Sequence, residues 1–439
     1  MLVDMRGTVA STVDSSPIGW RIRKMRQQLG WTQERLAAPE LSESYVSLIE
    51  AGKRTPTPAV LDLLAEKLGC ALSYLTEGVT PEQIQEVELD LAAARMALDD
   101  GRAVEACDRY RRLLDSPALA DLPRYQPAAG YGLALALEAR GDLVGAISIL
   151  VRMVPPGIWS QLEEHDVDTA VALARCYLRH GDLRQAAQLA EGILASSTAE
   201  GWNERLVELG ATLLTVYADR GDLLRARQWA DELQQSARSV GTAHAMTVSW
   251  WAQAVAAVQD GRGEEAVACT EQALAACPER AEPKLRVRAV LMHAEVVLAV
   301  RPEEAERCRA QLLALQVELR GASHLERVEC AYHLAHAELL CGRPEVAAHH
   351  LEDVLSRIEV APRSLQLHSR LLAGQVMAAL GKTKDAAGEV ASARAFLVHE
   401  PPTRRTVRGW LTLAQVLEQL GDADGSIDAY KRVMDIVEL

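Results

Sequence analysis

Between residues 33 and 54 lies a run of side chains suited to nucleic-acid contact: Gln33, then Ser42, Glu43, Ser44, Tyr45 and Ser47, then Lys53 and Arg54. Serine hydroxyls donate or accept at several base edges, a glutamate accepts from the N4 amino group of cytosine, and a tyrosine packs on a thymine methyl or bonds a phosphate. Glutamine, lysine and arginine suit phosphate oxygens, which position a protein on the duplex without reading its sequence. The other chemistry-bearing residues form no comparable set. His333 and His336 stand three apart and His349 and His350 are adjacent, but no carboxylate or cysteine completes a ligand spacing, so no metal is expected. The eight cysteines include no C-x-x-C pair and read as reduced core thiols. A glycine-rich phosphate loop, a G-x-S-x-G elbow and a catalytic carboxylate pair are all missing, so neither an enzyme nor a cofactor is expected.

Charge confines any nucleic-acid contact to the N-terminal region. Residues 1–80 hold nine basic and nine acidic side chains, so the rest of the chain carries the whole net charge of −14. Within residues 18–56 seven basic residues face four acidic ones. That excess of three is a small electrostatic footprint, and it predicts a homodimer on double-stranded DNA. No stretch approaches the roughly 20 apolar residues of a membrane span, and residues 1–16 have neither a basic nor an apolar leader segment. A cytoplasmic protein with no membrane partner is expected.

The elements that must position these residues are helices. Residues 1–16 are small, polar and aperiodic, and read as a disordered tail. Ile22, Met25 and Leu29 then share one helical face until Gly30. Thr32 and Ser42 are N-cap residues for a second and a third helix, the third burying Val46 and Ile49. Thr57 with Pro58 opens a fourth helix with Leu61, Leu64 and Leu68 inside, and residues 71–75 make a fifth. Residues 17–78 thus form a small five-helix domain in an all-α chain. Thr80-Pro81-Glu82-Gln83 marks a new helix start by capping box and proline at N1.

Everything from 79 to 439 is periodic. Turn residues recur at 101, 141, 181, 221, 261, 301, 342, 381 and 421, about 40 residues apart, giving about nine helix pairs. Five places after each turn comes alanine, with Ala305 one place early and Ser426 as the substitution. Seven places before each comes alanine or Gly374, with Leu214 as the exception. Small residues at two fixed positions let the paired helices approach closely.

Arg23-Lys24-Met25-Arg26, Trp31 to Ala37, Ser42 to Ser47 and Ile49 to Pro56 together resemble the Xre, or lambda-repressor-like, helix-turn-helix family over about one seventh of the chain. The resemblance implies that the third helix, with Ser42, Glu43, Ser44, Tyr45 and Ser47, enters the major groove, while Gln33, Lys53 and Arg54 touch the backbone. The chain departs from that family at Pro39-Glu40-Leu41, where a glycine usually turns the second helix into the third. The periodic remainder is similar to tetratricopeptide repeats, by its small residues, its Gly-Asp turns and Trp250 and Trp410 early in their helices. That similarity implies a right-handed solenoid of helix pairs.

The combination resembles in architecture the RRNPP group of peptide-responsive regulators, which implies a sequence-specific DNA-binding transcriptional regulator sensing a peptide, small ligand or protein partner. Readers of that group commonly grip a peptide backbone through asparagines, and here the only asparagine is Asn203. The alternative is an interaction scaffold that DNA binding merely localises. First helices line the concave face in tetratricopeptide arrays, so counting ten and six places back from the turns nominates Tyr131, Arg175, Thr215, Trp251, Glu295, Tyr332, His336 and Gln375 as inward-facing ligand contacts.

Overall fold

The structure is a computed structural model, and it describes residues 17–120, 122–154, 164–197, 201–277, 283–319, 324–356, 358, 363–400 and 404–437. The expected tail, residues 1–16, lies outside the described residues. Among the described residues there are helices and no strands. Five short helices come first: α1 (Pro17–Gln28), α2 (Gln33–Ala37), α3 (Glu43–Glu50), α4 (Pro58–Leu68) and α5 (Leu72–Thr76). The first helix pair is α6 (Pro81–Asp99) with α7 (Ala103–Leu114), followed by the single turn α8 (Pro117–Ala120). Four pairs follow: α9 (Gln126–Arg140) with α10 (Leu143–Met153), α11 (Glu164–His180) with α12 (Leu183–Ser197), α13 (Glu204–Arg220) with α14 (Leu223–Val240), and α15 (Ala243–Gln259) with α16 (Gly263–Ala276). The last four are α17 (Pro283–Val300) with α18 (Ala305–Glu318), α19 (His324–Leu340) with α20 (Pro344–Ser356), α21 (Arg363–Ala379) with α22 (Thr383–His399), and α23 (Arg404–Gln419) with α24 (Ala423–Val437).

The chain divides into two compact units, Met1–Ala93 with Arg109–Ala129 and Ala94–Asp108 with Gly130–Leu439. In the first unit, local chemistry sets the helix starts. Thr32 Oγ1 accepts from the Arg35 N–H and Ser42 Oγ from the Tyr45 N–H, each satisfying an otherwise orphaned donor. Thr57 makes no such bond, and α4 opens on the preset φ of Pro58 alone. Ile22, Leu36, Val46, Ile49, Leu64, Leu68 and Leu75 form one apolar core. Leu29, expected on that inner face, is 43% exposed, because α1 ends at Gln28 and Gly30 turns the chain away at positive φ. Thr80 and Gln83 bond reciprocally, side chain to backbone N–H, which starts α6 as a capping box. Val79 before it is fully buried with Val87, Leu113 and Leu122, so the passage from α5 to α6 is packed.

In the second unit the repeat follows from one turn used again and again. At Gly141 the N–H bonds Glu138 O and the next N–H bonds Leu137 O, a Schellman motif that needs the positive φ glycine supplies. The same two bonds recur at Gly181, Gly221, Gly261, Gly342, Gly381 and Gly421. The sixth pair has Arg301 there instead, and a 3-10 turn at Pro302–Glu304 replaces the motif, which brings Ala305 one place early. Ala146, Ala186, Ala266, Ala347 and Ala386 are fully buried, as are Ala134, Ala174, Ala254 and Ala335. Gly374 fills the same role under steric compulsion, since a Cβ there would lie 2.9 Å from Val390 Cγ2. Leu214 breaks the pattern because the fourth pair makes its close approach one turn earlier: Trp229 donates its indole N–H to Gly210 O at 2.8 Å, and a Cβ on Gly210 would meet Leu233 at 2.9 Å. Within the second unit α13 also touches α23, so the fourth and ninth pairs meet.

Candidate DNA-reading helix and ligand cleft

Helix α3 is held by polar bolts as well as by its core. Arg26 on α1 donates from Nε to Glu50 Oε1 at 2.6 Å and from Nη2 to Glu50 Oε2 at 2.8 Å, while its Nη1 donates to Trp31 O at 2.7 Å. Gln33 Nε2 adds a third bond to Glu50 Oε2 at 2.9 Å. Glu50 is 4% exposed, and a carboxylate so buried is tolerated because three donors satisfy it. Hydrogen bonding to Glu50 in turn raises the Arg26 pKa against its own burial. Lys67 reaches from α4 to the end of α2, donating to Ala38 O at 2.6 Å and pairing with Glu40. It thereby pins the Pro39-Glu40-Leu41 turn. At Gly19 any Cβ would collide with the Ile49 carbonyl oxygen, so only glycine lets α1 lie this close to α3.

These constraints leave one face of α3 open. Ser42, Glu43, Ser44 and Ser47 are exposed there and Tyr45 is half-buried. Ser42 spends a lone pair on its cap, and Gln33 is half-buried against Glu50. Lys53 and Arg54 are exposed just past the helix, with the Arg54 guanidinium 5.1 Å over the Tyr45 ring. The face also carries Leu48, which motif and charge do not single out although it stands one turn from Ser44. Arg21, a basic residue of the same region, is spent on Leu75 O and Thr76 O at the end of α5.

The second unit contains a cleft of about 1800 Å³ lined mainly by first helices of its pairs. Arg175, Thr215, Trp251, Glu295 and Tyr332 line it; Tyr131, His336 and Gln375 are half-buried outside this lining. The Arg175 guanidinium bonds Glu138 twice, at 2.6 Å each, and Arg179 adds a third bond at 3.2 Å. Burial lowers the Arg175 pKa, but Glu138 outweighs it and raises the value; Glu138, whose burial pushes it up, is held down by the two arginines. Counting ten and six places from the turns misses the row thirteen places back, where Glu208, Arg288, Glu329, His368 and Arg408 all face the cleft. That row is one helical turn before the row at ten, on the same face, which 3.6-residue periodicity could have supplied. Glu208 bonds His244 at 2.7 Å, an interaction that raises the imidazole pKa. Asn203 is not in the cleft: its Oδ1 accepts from the Leu206 N–H at 3.0 Å and caps α13.

Two capped helices, α2 and α3, on a five-helix core define a helix-turn-helix DNA-binding domain, and the paired helices that follow it in sequence define a tetratricopeptide-like array. Comparison with known proteins agrees. The helix-turn-helix family HTH_3 matches residues 22–75. The competence pilus inhibition repressor of Acinetobacter baylyi is 37% identical over 59 residues, covering 13% of this chain and 54% of the relative. The chain thus spans about half the length of that curated relative. A solved Rap protein complexed with competence and sporulation factor shares the fold at a TM-score of 0.52 and 12% identity, over 81% of this chain and 98% of the other. Bacillus thuringiensis PlcR, solved with the peptide PapR7 and DNA, aligns at a TM-score of 0.37 and 17% identity, over 65% of this chain and 99% of its own. The N-terminal domain is of the Xre helix-turn-helix type, a binding class and not a catalytic one, and it precedes a tetratricopeptide-like solenoid. No helix among the described residues is long and apolar enough to cross a membrane.

Proposed function

We propose that the protein is a transcriptional regulator that inserts α3 into the major groove of duplex DNA as a homodimer, and that its array takes up a peptide, small ligand or protein partner that governs the DNA-bound state. Residues 17–78 supply the DNA-binding part and residues 79–439 the sensing part. The observation that carries this reading is the open face of α3, where Glu43, Ser44, Ser47 and Leu48 are exposed together beside Lys53 and Arg54. Glutamate reads cytosine N4, serine hydroxyls serve several bases, and Leu48 offers an apolar contact to a thymine methyl. A basic excess of three in residues 18–56 is too small for tight specific binding by one domain, which supports a dimer on a two-fold site. The cleft supports the sensing part: aromatic, apolar and charged side chains from several pairs converge on one concavity. A ligand bridging those pairs favours one curvature of the solenoid over another.

Selection of genomic fragments by the full chain should recover a palindromic or pseudo-palindromic site with half-sites about one helical turn, or a multiple of it, apart. A chain lacking residues 1–78 should recover none, and equal recovery by that chain would sink the reading. Sedimentation should give a dimer on DNA; a monomer at micromolar concentration, both free and bound, removes the dimer from it. Low-molecular-weight cell filtrate should raise the melting temperature. Stabilisation by the macromolecular fraction alone would instead identify an interaction scaffold.

A further inference from the structure

The sixth and seventh pairs bring two carboxylates to the cleft that no side chain among the described residues bonds, although Arg288 of the sixth pair faces the same cleft. Glu295 on α17 and Glu329 on α19 both line it, on neighbouring first helices. Neither makes a hydrogen bond or ion pair among the described residues. Other acids of the array are held by arginines: Glu338 by Arg309 and Arg343, Glu264 by Arg301, Glu138 by Arg175 and Arg179. One turn after Glu329 stands His333, also on the cleft, 7% exposed and with Nδ1 unpartnered. Tyr332 packs edge-on against its ring at 5.0 Å, which restricts how the imidazole can turn. Burial holds the Glu329 carboxyl up at about 7, with Glu295 and Glu326 raising it further and Arg288 opposing them.

Two carboxylates that repel each other, beside an imidazole nitrogen without a partner, are costly to leave as they stand. The group that relieves all three is a cation that carries several N–H donors and no acceptor, which describes an ammonium or a guanidinium. Trp251 on the adjacent α15 adds an exposed indole to the same cleft, a surface on which organic cations stack. Resting on the reading of the cleft as a ligand site, we propose that Glu295, Glu329 and His333 form the seat of an organic cation carried by the ligand. A free polyamine and a basic residue of a linear peptide share this chemistry.

The test is calorimetric titration of the full chain with three probes: spermidine, a capped hexapeptide containing arginine and leucine, and the same peptide with citrulline for arginine. Citrulline keeps the shape of arginine and removes its charge. A cationic probe should bind at least about tenfold more tightly than the citrulline peptide, and E295Q/E329Q should erase that preference while its far-ultraviolet spectrum is unchanged. Preference for spermidine assigns a small amine, and preference for the arginine peptide assigns a basic peptide. Binding of the arginine peptide and of spermidine no tighter than that of the citrulline peptide by the native chain overturns the cation seat, and that comparison does not depend on the variant folding. Filtrate that stabilises the native chain and E295Q/E329Q alike overturns the seat but leaves the cleft as a ligand site. No response of the native chain to filtrate or to any probe overturns both.

Discussion

Arg26 and Glu50, twenty-four residues apart, meet through two hydrogen bonds of 2.6 and 2.8 Å, and this pair joins helix α1 to the last turn of helix α3. The orientation of α3 therefore depends on a buried ion pair as well as on apolar packing. E50A leaves the Arg26 guanidinium without its main partner, a change that typically costs about 3–5 kcal/mol. Hydrogen exchange should show amides of residues 17–78 losing protection while those of α13 to α24 keep theirs. Unchanged protection in α1 and α3 would show that the pair is dispensable.

Base readout and phosphate binding should separate by mutation. E43A or S44A should narrow the gap between the selected site and random duplex by about 1–3 kcal/mol for each base-edge hydrogen bond that the variant can no longer make. K53A or R54A should weaken binding to every sequence and reduce the salt slope by about one for each phosphate no longer neutralised. Titrations of both duplexes at two or more salt concentrations give both quantities. A fall in specificity in K53A with an unchanged salt slope would reverse these roles.

Acid should weaken the array through His333. Burial holds its imidazole pKa down at about 3 from an ordinary 6.5, so the unfolded chain takes up a proton that the folded chain refuses. Where the unfolded state binds more protons, stability rises with pH, so this contribution is intact above 6.5 and is lost progressively as pH falls toward 3. H333Q should have a melting temperature that depends less on pH through that window. If both chains melt in parallel from pH 7.5 to 5, His333 is not held neutral.

Trp251 and Arg175 both line the cleft but should behave differently when removed. Trp251 is 36% exposed, so W251A should keep the fold and lose much of the stabilisation that filtrate gives the native chain. R175A strips two bonds from the buried Glu138 and should lower the melting temperature even without ligand. Thermal melts of both variants, with and without filtrate, check this. Equal and large destabilisation by W251A would make the indole a structural residue.

Sequence alone determined what depends on neighbours along the chain. The caps at Thr32 and Ser42, the capping box at Thr80 and Gln83, and the turn glycines are satisfied within about one helical turn, so residue type and spacing suffice to place them. The alanine columns were legible for a related reason: one helix pair repeats its packing, and repetition makes a tertiary contact visible as a period. Even the exception at Ala305 was visible as a shift, although the 3-10 turn causing it was not.

Tertiary structure decided which side chains meet across long separations. Nothing local distinguishes Arg26 from Arg23, yet Arg26 is committed to Glu50 while Arg23 is exposed. Lys67 finds Ala38 O, 29 residues away, only because α4 packs against α2. In the array, ten and six places back identified Arg175, Thr215, Trp251, Glu295 and Tyr332 on the cleft, but not the charged row at thirteen that holds Glu208, Glu329 and Arg408. A helix-pair repeat tells which face of each helix turns inward. How far round that face the concavity reaches depends on the angle between successive pairs, and those small rotations add up over the array until α13 meets α23. No single repeat contains that sum.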